Sequence, residues 1–427
     1  MGYYAVLVPP FIGHLNPGTV LARALQRRGH RVAFLSPPDA EGRARGEGLE
    51  YIPIAQTEFP LGDWERTTLR MGELSGLTAG RYAGRWIARL ARGIIKDLPS
   101  LAARERFDGL VMDQTCIGAE GVCEVIDLPL AVACCALPFH CESGVPPPIF
   151  PWRYGRSLAC HVRNLVGYAI HNSTGIPLLR VVSPYRRRHR LGLMKMNHIN
   201  VLPPSLVQVA QQPARFDFPR QHLPPYFHYT SPWVESVSGE APDFPWEKLD
   251  GRPLIYASLG TLQNRQRQVF RVIAEACVGR EAQLVLALGN KSASIPTDLP
   301  GGPLVVGYAP QQALLKRASL VITHGGLNTT LESLREGLPL VVLPITNDQP
   351  GVAARLAHLG LGVFIPVKAV TATRLRALID HVLATPSYRE RAATFAAEIR
   401  PADGAARAAE LIEAAFVSRQ RVCRPVS

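Results

Sequence analysis

The chain has 427 residues, enough for two domains that each bury a core of their own. Its composition is that of a globular protein, with 47% hydrophobic and 19% charged residues. No apolar run reaches the roughly 18 residues that a membrane span needs, which excludes a membrane-spanning protein. The formal net charge of +13 is less ordinary and raises the question of an anionic partner.

The N-terminus and the cysteines indicate a protein that stays in the cytoplasm. The chain opens on an apolar strand, YYAVLVPP, without the basic segment and cleavage site of a signal peptide. The eight cysteines include no CxxC pair and no metal-ligand spacing. We therefore expect reduced, buried thiols and no structural metal.

Alternating strands and helices are predicted along both halves of the chain. In the first half the predicted strands cover residues 3–9, 31–35, 109–112 and 130–134, with helices over 17–28 and 118–126. A loop rich in proline and aromatic residues follows at 138–154, and 155–193 is predicted to be helical. In the second half the predicted strands cover 254–257, 283–288, 304–306 and 319–323, with helices over 266–278 and 405–416. This alternation predicts an α/β protein with two doubly wound, Rossmann-like domains facing a central cleft.

Residues 308–349 are the most informative segment. The buried strand SLVIT ends at two adjacent glycines, and a new helix begins at Asn328 and ends at Gly337. Glycines at such a turn let backbone N–H groups approach an anion at the positive end of the helix dipole. An aromatic residue suits a base, a carboxylate suits a ribose, and an Asp-Gln pair suits sugar hydroxyls. The segment therefore predicts a nucleotide-sugar site.

This segment resembles the donor-binding signature of the UDP-dependent glycosyltransferases of the inverting GT-B class. The resemblance implies contacts to the base and ribose from Tyr308, Gln311 and Glu332, to the diphosphate from His324, Gly325, Gly326, Asn328 and Thr329, and to the sugar from Asp348 and Gln349. The turn in YASLGT resembles a further phosphate-contacting turn of the family, at Ser258 and Thr261. Leu327 departs from the plant members, which have Trp there.

The resemblance also implies the domain organisation. Residues 1–232 are expected to form the acceptor-binding domain, 233–252 a linker, and 253–400 the donor-binding domain. Residues 401–427 are expected to carry a C-terminal helix that packs back on the first domain, followed by a tail.

A candidate catalytic pair lies in the first domain. His14 follows the first strand in the loop PPFIGHLNPG, and Asp113 follows the strand in DGLVMDQ, so both side chains are expected at the carboxyl edge of the sheet. Asp108 precedes that strand and should face the opposite edge. A lone His before Pro17 at a helix start is more often structural, but GHLNP matches the family loop that carries the general base. A carboxylate beside the imidazole would orient it and stabilise its protonated form.

The predicted reaction follows from these roles. His14 takes a proton from an acceptor hydroxyl, whose oxygen attacks the anomeric carbon from the side opposite the UDP. The chain has no Asp-x-Asp pair of the kind that metal-dependent transferases use. We therefore expect the glycine amides and the helix dipole to neutralise the diphosphate, with no metal and no cofactor besides the donor.

The acceptor is predicted to be apolar. Phe11, Phe139, Phe150 and Trp152 suit an apolar acceptor channel, although core residues under a long loop would look the same. The segments ASLGTLQ, FDFPRQHLP, HGGLNT and DQPGVAARL resemble the bacterial carotenoid glucosyltransferases, which implies zeaxanthin as acceptor and UDP-glucose as donor. The loop GHLNP is closer to the macrolide and plant branches of the family.

Several alternatives stay open at this point. A macrolide, a flavonoid or a sterol would be glycosylated by the same chemistry, and a non-catalytic nucleotide-sugar-binding protein would need only the donor segment. An epimerase on the same fold would need other cleft carboxylates.

A basic cluster, Arg180–Arg190 (RVVSPYRRRHR), permits three interpretations. The commonest is a solvated helix face. Nucleic acid is disfavoured because no aromatic residues interleave with the basic ones. Attraction to an anionic membrane leaflet would suit a lipid acceptor and would place the protein peripherally on the inner membrane face.

Overall fold

A computed structural model describes residues 1–192, 205–234, 244–262, 266–290 and 295–425. Within these residues the chain forms two α/β domains, each built on a parallel sheet covered by helices. Part of the expected linker, residues 235–243, lies outside the described part of the chain. The predicted alternation of strands and helices is confirmed in both halves.

The first domain contains a seven-stranded sheet in the order β3-β2-β1-β4-β5-β6-β7. Its strands are β1 (Tyr3–Leu7), β2 (Arg31–Ser36), β3 (Glu50–Pro53), β4 (Gly109–Asp113), β5 (Leu130–Cys134), β6 (Val207–Ala210) and β7 (Phe227–Tyr229). The strands pair in parallel and are almost wholly buried, since helices cover both faces, which explains their continuous apolar sequences. The strand order reverses between β1 and β4: strands β1 to β3 are added towards one edge of the sheet, and β4 to β7 towards the other. A crevice therefore opens beyond the carboxyl ends of β1 and β4.

The described residues of the first domain form seven α-helices between these strands. They are α1 (Ile12–Arg27), α2 (Glu41–Gly46), α3 (Asp63–Glu73), α4 (Gly76–Glu105), α5 (Ala119–Ile126), α6 (Leu158–Ser173) and α7 (Ile176–Arg188). The helical prediction for 155–193, of which residue 193 lies outside the described residues, is confirmed as two helices, because Thr174 and Gly175 interrupt them before Pro177. Residues 138–154, all of which the structure describes, form a loop as predicted.

The second domain contains a six-stranded parallel sheet in the order β10-β9-β8-β11-β12-β13. Its elements are β8 (Leu254–Ser258), α8 (Arg267–Cys277), β9 (Gln283–Ala287), β10 (Leu304–Val306), α9 (Gln311–Leu315), β11 (Ala318–Thr323), α10 (Leu327–Arg335), β12 (Leu340–Val342), α11 (Gln349–His358), β13 (Gly362–Phe364), α12 (Ala372–Ala384) and α13 (Pro386–Ile399). Here the strand order reverses between β8 and β11, and the carboxyl ends of these two strands define a second crevice.

The last helix, α14 (Gly404–Ser418), packs on the first domain. Its buried face consists mainly of alanines, which let the helix approach α1 closely. Phe416 lies edge-on to Tyr4, with ring centroids 5.0 Å apart, and Glu413 pairs with Arg28, directly after α1. The second domain is thus tied back to the first by its own chain end.

A buried ion cluster joins the two domains. Asp217, in the segment after β6, accepts hydrogen bonds from Arg220 at 2.7 Å, from Tyr229 at 2.7 Å and from Nε of Arg355 on α11 at 2.8 Å. Burial alone would raise the pKa of Asp217, but the two guanidinium groups outweigh it and hold the pKa well below its usual value. Arg355 also lies over the ring of Phe218, 4.5 Å from its centroid. These contacts hold the two crevices face to face.

Breaking this cluster should destabilise the protein strongly. Arg355→Leu would leave the Asp217 carboxylate buried with one cation fewer, and we expect the free energy of unfolding to fall by about 3–5 kcal/mol in guanidinium denaturation. Arg215→Ala is the matched control, because Arg215 pairs with Glu398 across the same two domains but in solvent. That change should cost less than about 1 kcal/mol. Equal losses in the two variants would contradict the assignment.

Candidate active site

A cavity of about 780 Å³ lies between the two domains and is lined by residues of both. The carboxyl ends of β1 and β4 face it from one side, and those of β8 and β11 face it from the other. Both strand pairs mark the reversals of their sheets, where ligands of open α/β sheets bind. The site is therefore built from two halves, one in each domain.

His14 lies in the first turn of α1, not in a loop before it. The predicted start of this helix at Pro17 is wrong, because the backbone N–H groups of His14 and Leu15 already donate to the carbonyl of Phe11 at 2.8 and 2.7 Å. Pro17 is tolerated inside the helix, where it leaves the carbonyl of Gly13 without its usual N–H donor. The predicted position of His14 at the carboxyl edge of the sheet is unaffected.

His14 and Asp113 form a hydrogen-bonded pair. Nδ1 of His14 is 2.9 Å from Oδ2 of Asp113, whose side chain is fully buried, whereas the imidazole is partly exposed and lines the cavity. The other carboxylate oxygen accepts hydrogen bonds from the backbone N–H and the hydroxyl of Thr115. Because Asp113 can only accept while ionised, it places the imidazole proton on Nδ1 and leaves Nε2 as an acceptor. The pair can serve as a general base.

The electrostatics of the pair favour the charged form of the imidazole. Burial opposes the imidazolium, but the charge of Asp113 and its hydrogen bond outweigh it, and Asp348 adds to them, so the pKa of His14 is raised above its ordinary value. Burial likewise opposes the Asp113 carboxylate, yet His14 and Thr115 lower its pKa. The pair therefore stabilises the imidazolium that forms when His14 takes up a proton.

Cys135 lies beside this pair and was not predicted as a site residue. Donor atoms of His14, Asp113 and Cys135 lie within 4.8 Å of one another, and three such groups could hold a metal ion. Burial, with the nearby Asp113 charge, raises the pKa of the Cys135 thiol well above its usual value. The thiol therefore stays protonated, and a metal would have to displace the His14–Asp113 hydrogen bond. The arrangement suits a base better than a metal centre.

The turns after β8 and β11 meet around His324. A side chain at Gly260 would place its Cβ 2.6 Å from the imidazole of His324, and one at Gly326 would place it at 2.7 Å, so both positions need glycine. Gly325 has φ +87°, which a residue with a side chain rarely adopts. Burial lowers the pKa of His324 to about 4, so the ring is neutral and can donate a hydrogen bond. Ser258, at the end of β8, lines the cavity nearby.

The N-terminus of α10 faces the cavity beside His324. Gly326 precedes the helix, and among the described residues no side chain caps its first amides. These N–H groups and the positive end of the helix dipole form a site for an anion such as a diphosphate. Thr329, in the same first turn, and Thr261, after β8, also line the cavity.

A polar network lies farther along α10. Nε2 of Gln311 donates to the carboxylate of Glu332 at 2.8 Å, and the hydroxyl of Tyr256 donates to Oε1 of Gln311 at 3.2 Å. Burial raises the pKa of Glu332, and the residue lines the cavity, where it can accept hydrogen bonds from a ribose. Tyr308 lies half-exposed at the rim, as an aromatic residue for a base would. Tyr256 was missed in the sequence because it lies within a strand.

Asn328 connects the two halves of the site. Its Nδ2 donates at 2.9 Å to the carbonyl of Gly13, which is the carbonyl that Pro17 leaves without a helical partner. Its Oδ1 accepts from Gln211 at 2.8 Å, and Gln211 also donates to the carbonyl of Cys135 at 2.6 Å. The side chain that the resemblance assigns to the diphosphate therefore joins α10 to the helix that carries His14.

The predicted sugar-binding pair is also held by backbone contacts. Oδ2 of Asp348 accepts from the N–H of Leu137 in the first domain at 3.1 Å. Oε1 of Gln349 accepts from the N–H groups of Ile345 and Thr346 at 2.9 and 3.0 Å. Both side chains line the cavity, and these contacts set their direction.

The predicted acceptor residues divide into two groups. Phe11, Phe139 and Phe150 line the cavity, whereas Trp152 lies outside the lining and stacks on Phe150 with ring centroids 4.1 Å apart. Further apolar lining that was not predicted from the sequence comes from α3, α4 and α7: Met71, Leu77, Ala83, Ile87 and Leu178. Helical periodicity alone does not say which apolar face meets a cavity and which meets a core.

The basic cluster Arg180–Arg190 lies on α7 and just beyond it. Arg186 is largely covered, donates to the carbonyl of Gly192 at 2.7 Å and pairs with Glu124 at 3.3 Å. The other arginines of the cluster are exposed. The cluster therefore includes a solvated helix face.

Known proteins resemble this chain over its whole length. The family described as "Erythromycin biosynthesis protein CIII-like, C-terminal domain" matches residues 271–412. A zeaxanthin glucosyltransferase of Pantoea ananas is 31% identical, with 99% of this chain and 98% of the relative covered. A second zeaxanthin glucosyltransferase, of Pseudescherichia vulneris, is 30% identical, with 99% of this chain and 100% of the relative covered.

Solved structures show the same fold. The glycosyltransferase of kitacinnamycin superposes with a TM-score of 0.75 at 23% identity, covering 97% of this chain and 99% of that one. The Streptomyces sp. SF2575 glycosyltransferase SsfS6, complexed with thymidine diphosphate, superposes with a TM-score of 0.67 at 18% identity, covering 97% and 100%. The predicted fold class, two Rossmann-like domains in the GT-B arrangement, is confirmed.

The charge of Asp113 should govern the titration of His14. Asp113→Asn keeps the side-chain shape but removes the charge, so burial prevails and the pKa of His14 should fall from above 6.5 to below it. NMR titration of the imidazole, assigned with His14→Gln, measures this pKa. Asp108→Asn is the control, because Asp108 binds the N–H of Tyr3 at the opposite edge of the sheet. Equal pKa values in wild type and Asp113→Asn would contradict the pairing.

Proposed function

The chain belongs to the family 1 UDP-dependent glycosyltransferases, and on that basis we propose that it transfers glucose from UDP-glucose to a hydroxyl of an apolar acceptor, with inversion at the anomeric carbon. The observation that carries the proposal is the His14–Asp113 pair facing the N-terminus of α10 across one cavity. A base on one side and an anion site on the other suit a direct displacement.

The proposed reaction is a single displacement. Nε2 of His14 accepts the proton of the acceptor hydroxyl while the hydroxyl oxygen forms a bond to the anomeric carbon. The bond from that carbon to the diphosphate oxygen breaks, and its electron pair leaves with UDP. Asp113 stabilises the imidazolium that forms. The product is a β-glucoside when the donor is α-linked.

The leaving diphosphate develops negative charge that the second domain is proposed to neutralise. The first amides of α10, the hydroxyl of Thr329 and the neutral ring of His324 are the candidate donors. Because preorganised amides and a helix dipole act on this charge, we propose that the reaction needs no divalent metal. Glu332 and Tyr308 are proposed to hold the ribose and the base.

A carotenoid such as zeaxanthin is the acceptor that we propose. The names of the two relatives support this choice, and so does the apolar wall that Phe139, Phe150 and Leu178 contribute to the cavity. A macrolide, a flavonoid or a sterol would meet the same base and the same apolar surface. The choice among them is therefore made by experiment.

Incubation of the protein with UDP-glucose and a panel of hydroxylated acceptors, read by mass spectrometry, tests the proposal. We expect glucosylated zeaxanthin from the wild type and a rate about 10²–10⁴-fold lower from His14→Ala, the usual size of general-base catalysis. UDP binding should survive in this variant, because the donor residues lie in the other domain. Binding of UDP-glucose without any product would support a non-catalytic nucleotide-sugar-binding protein, and near-normal turnover of His14→Ala would remove the proposed base.

Asn328 offers a second test, because its side chain connects the domains. Asn328→Ala should lower kcat by about tenfold to a hundredfold, because the base and the donor would no longer be held in alignment, while the Kd for UDP changes little. Gln211→Leu cuts the same network from the first domain and should act in the same direction. A loss of UDP affinity as large as the loss of kcat in Asn328→Ala alone would instead make Asn328 a direct ligand of the diphosphate.

A further inference from the structure

Helix α6 carries an apolar face that points away from the protein. Leu158, Val162, Leu165 and Val166 are 80%, 53%, 57% and 55% exposed. Their spacing places them on one side of the helix, together with the exposed Ala169 and, at the end of the helix, the exposed Ser173. The opposite side is buried and polar, with Asn164 among its residues. Large apolar side chains gathered on one exposed helix face mark an interaction surface.

The sequence around this face is strongly basic. No acidic residue occurs between Glu142 and Asp217, and residues 143–192 contain eight arginines. Most of them are exposed, before α6 and along α7: Arg153, Arg156, Arg180, Arg187, Arg188 and Arg190. Arg153 and Arg156 come directly before α6, and the carbonyl of Arg153 accepts a hydrogen bond from Arg163 of α6 at 2.9 Å. A guanidinium group beside an apolar helix face can bind phosphate while the face enters a less polar layer.

We propose that the outward face of α6, with the exposed arginines before it and on and after α7, docks on the surface of an anionic lipid bilayer. Among the described residues no helix is long and apolar enough to cross a membrane, so the contact is one of a helix lying in the interface. A second copy of this chain fits less well, because an isologous contact would bring the arginines of one copy against those of the other.

The position of α6 gives this docking a consequence for the cavity. His171, near the end of α6, lines the cavity, as do Thr174 and Leu178, which follow it in the chain. Leu77 lines the same cavity and is 49% exposed, so apolar surface continues from the lining to the outside. Docking through α6 would place this apolar wall close to the acyl layer, where a lipophilic molecule resides.

Vesicle flotation tests the proposal without donor or acceptor, so its outcome is independent of the proposed reaction. The wild type should float with phosphatidylglycerol vesicles at low salt and much less with phosphatidylcholine vesicles. Leu165→Gln combined with Val166→Gln should lower the partition coefficient by about tenfold or more. Arg187→Gln combined with Arg188→Gln should lower it at low salt and remove part of its salt dependence.

Val417→Gln is the matched control, because Val417 is 75% exposed on α14, a different helix that packs on α1. It should leave flotation unchanged, and the circular dichroism of all variants should match the wild type. Equal flotation of the wild type and the α6 variant would overturn the proposal. A wild-type dimer in ultracentrifugation that the α6 change dissociates, with no vesicle binding, would also overturn it and assign the face to a second copy.

Discussion

The buried ion pair between Asp217 and Arg355 is the interaction on which the site depends. Each domain holds only half of the cavity lining, so the distance between base and donor turns depends on how the domains meet. Two charges removed from water are tolerated only with close partners, and here Arg220 and Tyr229 complete the set. Any rotation of one domain that separates the pair leaves a buried charge uncompensated. The cluster therefore favours one relation between the domains.

The two halves of the site are organised differently. The first domain supplies a proton acceptor whose orientation is set by a buried carboxylate. The second supplies backbone amides and a helix dipole, which need glycines for close approach more than they need side-chain chemistry. Pro17 links the two, because it frees the Gly13 carbonyl that Asn328 binds from across the cavity. The carbonyl that lacks a hydrogen bond within its helix thus takes part in a contact between the domains.

The first domain has an inner apolar surface at the cavity and an outer one on α6. The loop 138–154 and helices α3, α4 and α7 line the cavity, while α6 turns its large apolar residues outward among arginines. Trp152 shows why sequence analysis could not sort these roles. It was predicted to contact the acceptor, but it stacks behind Phe150, and an aromatic residue in a loop looks the same in either position. Much of the net charge of +13 comes from this part of the chain, because no acidic residue occurs between Glu142 and Asp217.

The sequence by itself predicted the alternation of strands and helices and placed His14 and Asp113 at the carboxyl ends of two strands, because these follow from periodicity and from turns at strand ends. The pairing of the two residues and the roles expected of residues 308–349 came instead from a resemblance to a known family. It misplaced the start of α1, since Pro17 suggested a first turn that lies earlier in the chain. Only the tertiary structure decided that Asp217 meets Arg355, that Asn328 reaches Gly13, and which face of α6 remains exposed. These features depend on residues that lie far apart in the chain. The packing of one element against another brings such residues together or leaves them exposed, and no local sequence pattern encodes that packing.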